Sequence, residues 1–313
     1  MNPHFLQTEA WEEFQKSEGR ETFRVKGTDF EFMAILRPTS LGNYLFVPYG
    51  PVLKSKKALP HALDALKKLA NEKNAYFIRI EPTLEFSEAE MAKYKLKKTH
   101  HIEPQHTWIL DLTQSEEDIL AGMESRKVRY YRNYTKKGMT IRTTHDPKEM
   151  KILFKLLSEV AETDNFQTFD EKYLENQLKF PFATLYIVEV TEEDKKEPIP
   201  IAAALMYDTD DTCYYAHTGA EYEHRKLNAG IILLVKMILD AKKNGRKKFD
   251  FWGVTTSEDP KHPWYGFTKF KQSFGGQLVT YTGTYDLPLK PAKYHAYTLL
   301  RPINKIKRKL TRH

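Results

Sequence analysis

The 313-residue sequence predicts an α/β protein made of two similarly built domains, and three observations carry that prediction. Strand-like and helix-like periodicities alternate along most of the chain. They do so in two rounds, each with paired strands feeding a helix and closing on a further strand, which reads as one supersecondary plan used twice. The length suffices for two cores, and the longest uninterrupted apolar run, Ile201 to Tyr207, is far short of the roughly 18 residues that cross a bilayer.

The elements follow in order. Phe23-Arg24-Val25, a Lys26-Gly27 turn and Phe30 to Leu36 predict a β-hairpin, and Tyr44 to Pro48 a further strand before Tyr49-Gly50-Pro51. From His61 to Lys73, Leu63, Leu66 and Leu69 recur every third position, which predicts a helix, and Ala75 to Ile80 returns as a strand. The second round opens with a strand at Thr107 to Leu112 and one long helix from Ser115 to Lys137. It continues with a strand Met139 to Arg142, a helix from Pro147 to about Thr163, and strands Thr184 to Val190, Ile201 to Tyr207 and Thr212 to His217. A helix Asn228 to Lys243 and a strand Lys248 to Trp252 close it. Gly266 to Gly276 predicts an amphipathic helix with Phe267, Phe270 and Phe274 in the core at i, i+3 and i+7, ended by glycine. Lys290 to His313 reads as a basic amphipathic helix, with Tyr294, Tyr297, Leu300 and Ile303 on one side, packing back on the first domain.

Composition narrows the chemistry. Lys and Arg total 49 against 42 Asp and Glu, a net charge of +7, which favours polyanionic partners. The single cysteine, Cys213, excludes an intramolecular disulfide and a cysteine-based zinc finger and suits a reducing compartment. The first residues lack the basic-then-apolar pattern of a secretion signal, so a cytoplasmic location is expected.

Candidate chemistry concentrates in a few places. Lys271, beside an aromatic stripe, can reach a cleft and meet an anionic group or a developing oxyanion. The segment Glu124 to Lys137 carries Arg126, Lys127, Arg129, Arg132, Lys136 and Lys137 interleaved with Tyr130, Tyr131 and Tyr134; on a helix Arg129, Arg132 and Lys136 share one face, which either tracks phosphates or is solvated with tyrosines at its rim. His224 to Gly230 precedes an apolar helix and holds Arg225 and Gly230 where acetyltransferases of the GNAT fold cradle coenzyme A pyrophosphate, but Asn228 stands in place of the central glycine. Cys213 and His217, four residues apart on one strand, lie roughly 13 Å apart, too far for a nucleophile and its base. His100, His101 and His106 lack a metal-ligand pattern, and neither a P-loop nor a Gly-x-Ser-x-Gly elbow occurs.

Six segments taken together resemble the FemABX-type aminoacyltransferases that build peptidoglycan cross-bridges. They are Thr107 to Thr113, Arg126 to Arg129 leading to Lys136-Lys-Gly138, Tyr214 to Ala220, Asn228 to Gly230, Phe249 to Gly253 and Gly266 to Gly276. The resemblance implies two GNAT-like domains, residues 1 to 107 with 286 to 313 and residues 108 to 285, the C-terminal helix returning to the first. It implies transfer of an amino acid from aminoacyl-tRNA to a stem-peptide amino group of a peptidoglycan precursor, without a cofactor or covalent enzyme intermediate, by a monomer. The family's Phe-Lys pair matches Phe270-Lys271, the lysine stabilising charge during acyl transfer. Tyr214, Tyr215 and His217 are expected to wall the cleft.

The chain also departs from the family pattern. Members that use a nucleotide-linked precursor hold its phosphates with a lysine after an N-terminal tryptophan and an arginine before a helix of the second domain. Here Lys16 follows Trp11 one position late, and Asn165 to Tyr173 holds no arginine, leaving Tyr173 as the candidate contact there. A lipid-linked precursor therefore fits as well, with the basic C-terminal helix near the inner membrane face. The long helical hairpin of some members is not expected. An acyl-coenzyme A-dependent N-acyltransferase and a non-enzymatic basic RNA-binding or membrane-peripheral protein stand as alternatives.

Overall fold

A computed structural model describes residues 3–164, 170–193, 195 and 197–310, with the backbone alone for 159–164 and 302–310. The chain divides into two compact units, Met1–Gln105 with Thr280–His313, and His106–Val279.

The first unit begins with helix α1 (Glu9–Ser17), whose Thr8 side chain caps the Trp11 amide. Strands β1 (Thr22–Lys26), β2 (Phe30–Thr39), β3 (Gly42–Val47) and β4 (Val52–Leu53), helix α2 (Leu59–Glu72), strand β5 (Ala75–Ile80), helix α3 (Glu88–Ala92) and strand β6 (Lys97–Lys98) follow. The chain returns later as a strand, Tyr285–Pro288, and a C-terminal helix, Pro291–Leu310. The sheet runs β1, β2, β3, β5, Tyr285–Pro288, β6, with β4 beside β2. β1 and β2 form the expected hairpin, and β3 and β5 are parallel across α2. Leu63, Leu66 and Leu69 of α2 are buried against this sheet. Tyr294 and Tyr297 of the C-terminal helix pack on Phe77, and a buried pair, Arg79 with Asp286 (2.7 Å on both nitrogens), joins β5 to the returning strand.

The second unit holds strand β7 (His106–Asp111), helices α4 (Glu116–Ala121) and α5 (Ser125–Asn133), strand β8 (Met139–Thr144) and helices α6 (Met150–Asp164) and α7 (Glu171–Gln177). Then come strands β9 (Ala183–Val190), β10 (Ile199–Asp208) and β11 (Thr212–Ala220), helix α8 (Ala229–Lys243), strand β12 (Lys248–Gly253), helix α9 (Tyr265–Gln272) and strand β13 (Gln277–Thr280). Its sheet runs β13, β7, β12, β11, β10, β9, β8. Phe249, Phe251 and Tyr215 face α8 and form one core with Ile232, Leu233 and Met237. α6 lies on β11 at Gly219, where an added Cβ would sit 2.8 Å from the Leu156 backbone.

Two expectations are corrected. The single helix expected over Ser115 to Lys137 is broken into α4 and α5, because the Glu124 amide leaves the helical pattern and donates to Ser273 O at 3.0 Å. The fully apolar stripe expected on α9 is not apolar: Phe274 is buried, but Phe267 is 42% exposed and Lys271 takes the inner position at 3%. A helix face is chosen by what it meets, and here it meets a carbonyl. No helix longer than 15 residues occurs among the described residues of this unit, so it carries no long hairpin there.

Candidate active site

The site is built at the end of a parallel strand pair in the second sheet. β11 and β12 pair at Thr212 with Lys248, Cys213 with Phe249 and Tyr214 with Asp250, and there the register ends although β11 runs on to Ala220 and β12 to Gly253. Beyond Tyr214 and Asp250 the two strands part, leaving an opening in the sheet whose walls are the ends of two strands.

Irregularities in both strands shape that opening. On β11, Leu205 faces His217 but Met206 faces Tyr215, so Ala216 is an extra residue in a bulge. The bulge puts Tyr214 and His217 on one side of the sheet and leaves Tyr215 on the other. His217 Nε2 lies 3.1 Å from the Tyr207 hydroxyl, and Tyr214 and Tyr207 both pack edge-on against Trp252. Burial brings the His217 imidazole down to about 4, so it is neutral at pH 7. Of the three expected wall residues, the structure brings together Tyr214 and His217 and sends Tyr215 into the α8 core.

On β12, the register shifts between Asp250 and Gly253, and Trp252 takes φ +64°, a left-handed conformation that a non-glycine residue adopts only when its surroundings hold it there. Asp250 does the holding. Its carboxylate is 2% exposed and accepts the Trp252 amide at 2.7 Å and the Thr107 hydroxyl from β7. With the bulge so fixed, Gly253 O receives the Lys271 ammonium from α9 at 2.8 Å. The Phe267 ring lies over the same ammonium, 4.0 Å from its centroid.

Electrostatics follow from this burial. Removal from water lowers the Lys271 ammonium to about 7, a fall that the Asp250 charge partly opposes. The Asp250 carboxyl is pushed up to about 6 by burial, against the Thr107 and Trp252 hydrogen bonds and the charges of Lys271 and Lys248. Lys271 thus titrates near neutrality, the property asked of a group that must both carry charge and exchange it.

Phe270 is clamped from two sides. It meets Phe274 edge-on at 5.1 Å, and Lys127 of α5, 3% exposed, lies 5.2 Å from its ring centroid and 4.6 Å from that of Phe274. Lys127 has a distant carboxylate, Glu124 at 3.9 Å, and burial lowers its ammonium. Arg126, Arg129, Arg132 and Lys136 are exposed around it, while Tyr130, Tyr131 and Tyr134 pack on the core. Arg225 is exposed with its guanidinium over Tyr222 at 4.1 Å. Asn228 adopts φ +58°, the backbone conformation a glycine would supply there, and Ala229 opens α8. Tyr173 is half-buried on α7, while Asn165 to Phe169 lie outside the described residues. In the first unit, Lys16 is exposed and paired with Glu12 at 2.8 Å.

Sequence patterning assigns no role to Asp250, Thr107 or Trp252, and it counts Lys127 among the cations of a phosphate-tracking or solvated helix, whereas the structure buries it against Phe270 and Phe274. A carboxylate alternating with two phenylalanines in Phe249-Asp250-Phe251 is the available signal, since a charge at a strand position flanked by core residues must have partners. Among the described residues no three metal-ligating side chains cluster, and no helix is long and apolar enough to cross a membrane.

Comparison with known proteins adds the context. The FemAB family model matches residues 183–302, which include β11, α8, β12, α9 and Lys271. The lipid II:glycine glycyltransferase of Staphylococcus aureus (strain MRSA252) is 22% identical, covering 99% of this chain and 94% of that protein. The alignment spans 398 positions against 313 residues here, so that relative carries insertions this chain lacks. The crystal structure of FemX superposes with a TM-score of 0.84 at 20% identity, covering 96% of this chain and 95% of that one. The fold also recurs, at a TM-score of 0.53 and 12% identity over 86% of this chain and 83% of that one, in a tandem GNAT protein from the clavulanic acid biosynthesis pathway. Both units share the GNAT-like fold, as expected; residues 183–302 match the FemAB family model, and the 22% identical relative and the FemX fold extend the likeness along nearly the whole chain.

Proposed function

We propose that this protein is an aminoacyltransferase that moves an amino acid from aminoacyl-tRNA to a stem-peptide amine of a peptidoglycan precursor. The observation that carries the reading is the Lys271 ammonium, withdrawn from water at the parted end of β11 and β12 and held on Gly253 O beside Phe270. The names of the relatives, which act on lipid II and glycine, support it.

In the reaction the acceptor nitrogen attacks the ester carbonyl carbon. A C–N bond forms, the carbonyl pair moves to oxygen, and the charged Lys271 donates a hydrogen bond to that oxyanion. Collapse re-forms the carbonyl and breaks the C–O bond; the proton lost by the amine ends on the departing ribose hydroxyl. The ester is already activated, so positioning and charge stabilisation are what the protein supplies. Phe270, fixed by Phe274 and Lys127, shapes the acyl side, Tyr214 and His217 wall the opening, and Arg126, Arg129, Arg132 and Lys136 offer an exposed row of cations to phosphates. A lipid-linked acceptor, met at the inner membrane face from the cytoplasm, fits the relatives' names better than a nucleotide-linked one.

The test is incubation with a mixed charged-tRNA pool and a lipid-linked precursor, followed by mass measurement of the stem peptide. An added amino acid is expected, and Lys271→Ala should cut transfer about 100- to 1000-fold, as loss of an oxyanion donor does. An unchanged peptide mass with every charged tRNA refutes the reading. The acyl-coenzyme A alternative keeps one specific support, the glycine-like backbone of Asn228 ahead of α8. A rise in melting temperature with acetyl-coenzyme A and none with charged tRNA would favour it.

A further inference from the structure

One surface feature of α9 is unused by the chemistry above. Trp264, Phe267 and Lys271 recur at i, i+3 and i+7 and form a continuous ladder from solvent to the buried ammonium: indole to phenyl at 5.9 Å with the ring planes at 84°, then phenyl to ammonium at 4.0 Å. The outer rungs are open, Trp264 at 41% and Phe267 at 42% exposed. Large aromatic side chains left in water beside a buried catalytic cation are costly to the free protein, by the hydrophobic effect, and are therefore candidates for a partner's aromatic surface. Lys261, three residues before Trp264, is exposed, while Lys269 lies over the Tyr265 ring at 5.5 Å on the opposite face of α9.

The geometry points to Trp264 and Phe267 as a stacking platform for the unpaired 3′-terminal adenine of the donor RNA. This rests on the aminoacyl-tRNA reading. The ester that Lys271 addresses is carried by the ribose of that same terminal nucleoside, so covalent bond lengths keep its base within about 7 Å of the carbonyl. The Phe267 ring lies inside that range, 4.0 Å from the ammonium, and Trp264 is the next ring outward, 5.9 Å from Phe267. A base stacks on a phenyl or indole face whatever its sequence neighbours, and the exposed Lys261 just ahead of Trp264 suits an adjoining phosphate.

The experiment compares binding of two acceptor-stem RNA hairpins ending in CCA, one intact and one with the terminal base removed, measured by fluorescence anisotropy. The protein should hold the intact hairpin about 10-fold more tightly, the scale of one stacked base. Phe267→Leu and Trp264→Leu should bring that ratio to about 1 while leaving affinity for the abasic hairpin unchanged, which also certifies that the variants fold. An equal affinity of the unaltered protein for both hairpins overturns the platform and leaves the aminoacyltransferase reading standing. The platform is equally overturned if the variants keep the ratio, or if they weaken only binding to vesicles carrying the lipid-linked precursor. If neither hairpin binds at low salt, the RNA donor itself is wrong and the platform falls with it.

Discussion

Replacing Asp250 by Asn separates what its shape does from what its charge does. The amide oxygen can still accept the Trp252 amide and the Thr107 hydroxyl, so the β12 bulge and the Gly253 carbonyl that holds Lys271 should persist. What is lost is a buried negative charge. The folded carboxyl sits near 6 against 3.8 for an exposed one, so its contribution to stability is full below about 3.8 and lost as pH rises through 6. Above that pH the ionised group costs about 3 kcal/mol. That figure is already net of the Thr107 and Trp252 hydrogen bonds and of the Lys271 and Lys248 charges, all of which favour the ionised form. The variant, a neutral group of the same shape, should therefore be up to about 3 kcal/mol more stable than the parent near pH 8, a gain that fades as pH falls below 6. Transfer should move the other way. Without the carboxylate the Lys271 ammonium drops below its present value of about 7, and the alkaline limb of single-turnover transfer moves to lower pH. For every pH unit that the limb moves, the rate at pH 8 falls about tenfold. The acceptor amine titrates identically with both proteins, so the difference between the two profiles belongs to Asp250. Urea unfolding at two pH values and the two rate profiles decide it; an alkaline limb that stays in place would refute the pairing of Asp250 with Lys271.

Three further outcomes are expected. Gly276→Ala should destabilise the second unit by at least about 1–3 kcal/mol in denaturant titration, because Gly276 sits at φ +93° and an added Cβ would lie 2.6 Å from Ile109 O. Arg79→Met should cost the first unit about 3–5 kcal/mol by stranding the Asp286 carboxylate, with Arg79→Met and Asp286→Leu together recovering most of it. Alanine at Arg126, Arg129 and Arg132 should lower the slope of log affinity for acceptor-stem RNA against log salt by about 2, with the melting temperature unchanged.

Strand and helix periodicity made most of both sheets legible, since β-alternation and leucine spacing report burial directly. What periodicity could not report is a tertiary demand on a single backbone group. The Glu124 amide interrupts a helix to reach Ser273 O, a partner nearly 150 residues away, and nothing local in Glu124-Ser-Arg-Lys announces it. The inversion of Phe267 and Lys271 has the same origin. An apolar count assigns the inside of α9 to three phenylalanines, but a carbonyl freed by the β12 bulge outcompetes one of them for contact with the helix, and the lysine goes in. The residues at the heart of the site were visible as letters, and their arrangement depended on a bulge that no residue pattern encodes.

That bulge also separates the two halves of a repeated plan. In the first unit β3 and β5 pair from Asn43 with Ala75 to Val47 with Ile80, with one register shift between Asn43 and Leu45, and the Glu81 amide extends the contact to Gly50 O at 2.9 Å. The parallel strands there stay together to their ends. In the second unit the equivalent pair, β11 and β12 across α8, separates after three residues, with one bulge on each strand at the parting. Backbone hydrogen bonds given up in a sheet are costly unless other groups take them, and here Asp250 and Lys271 take two of them, at Trp252 N–H and Gly253 O. The charged pair is thus what makes an open sheet end affordable in the second unit, while the first unit, whose strands stay paired there, has no such end to support.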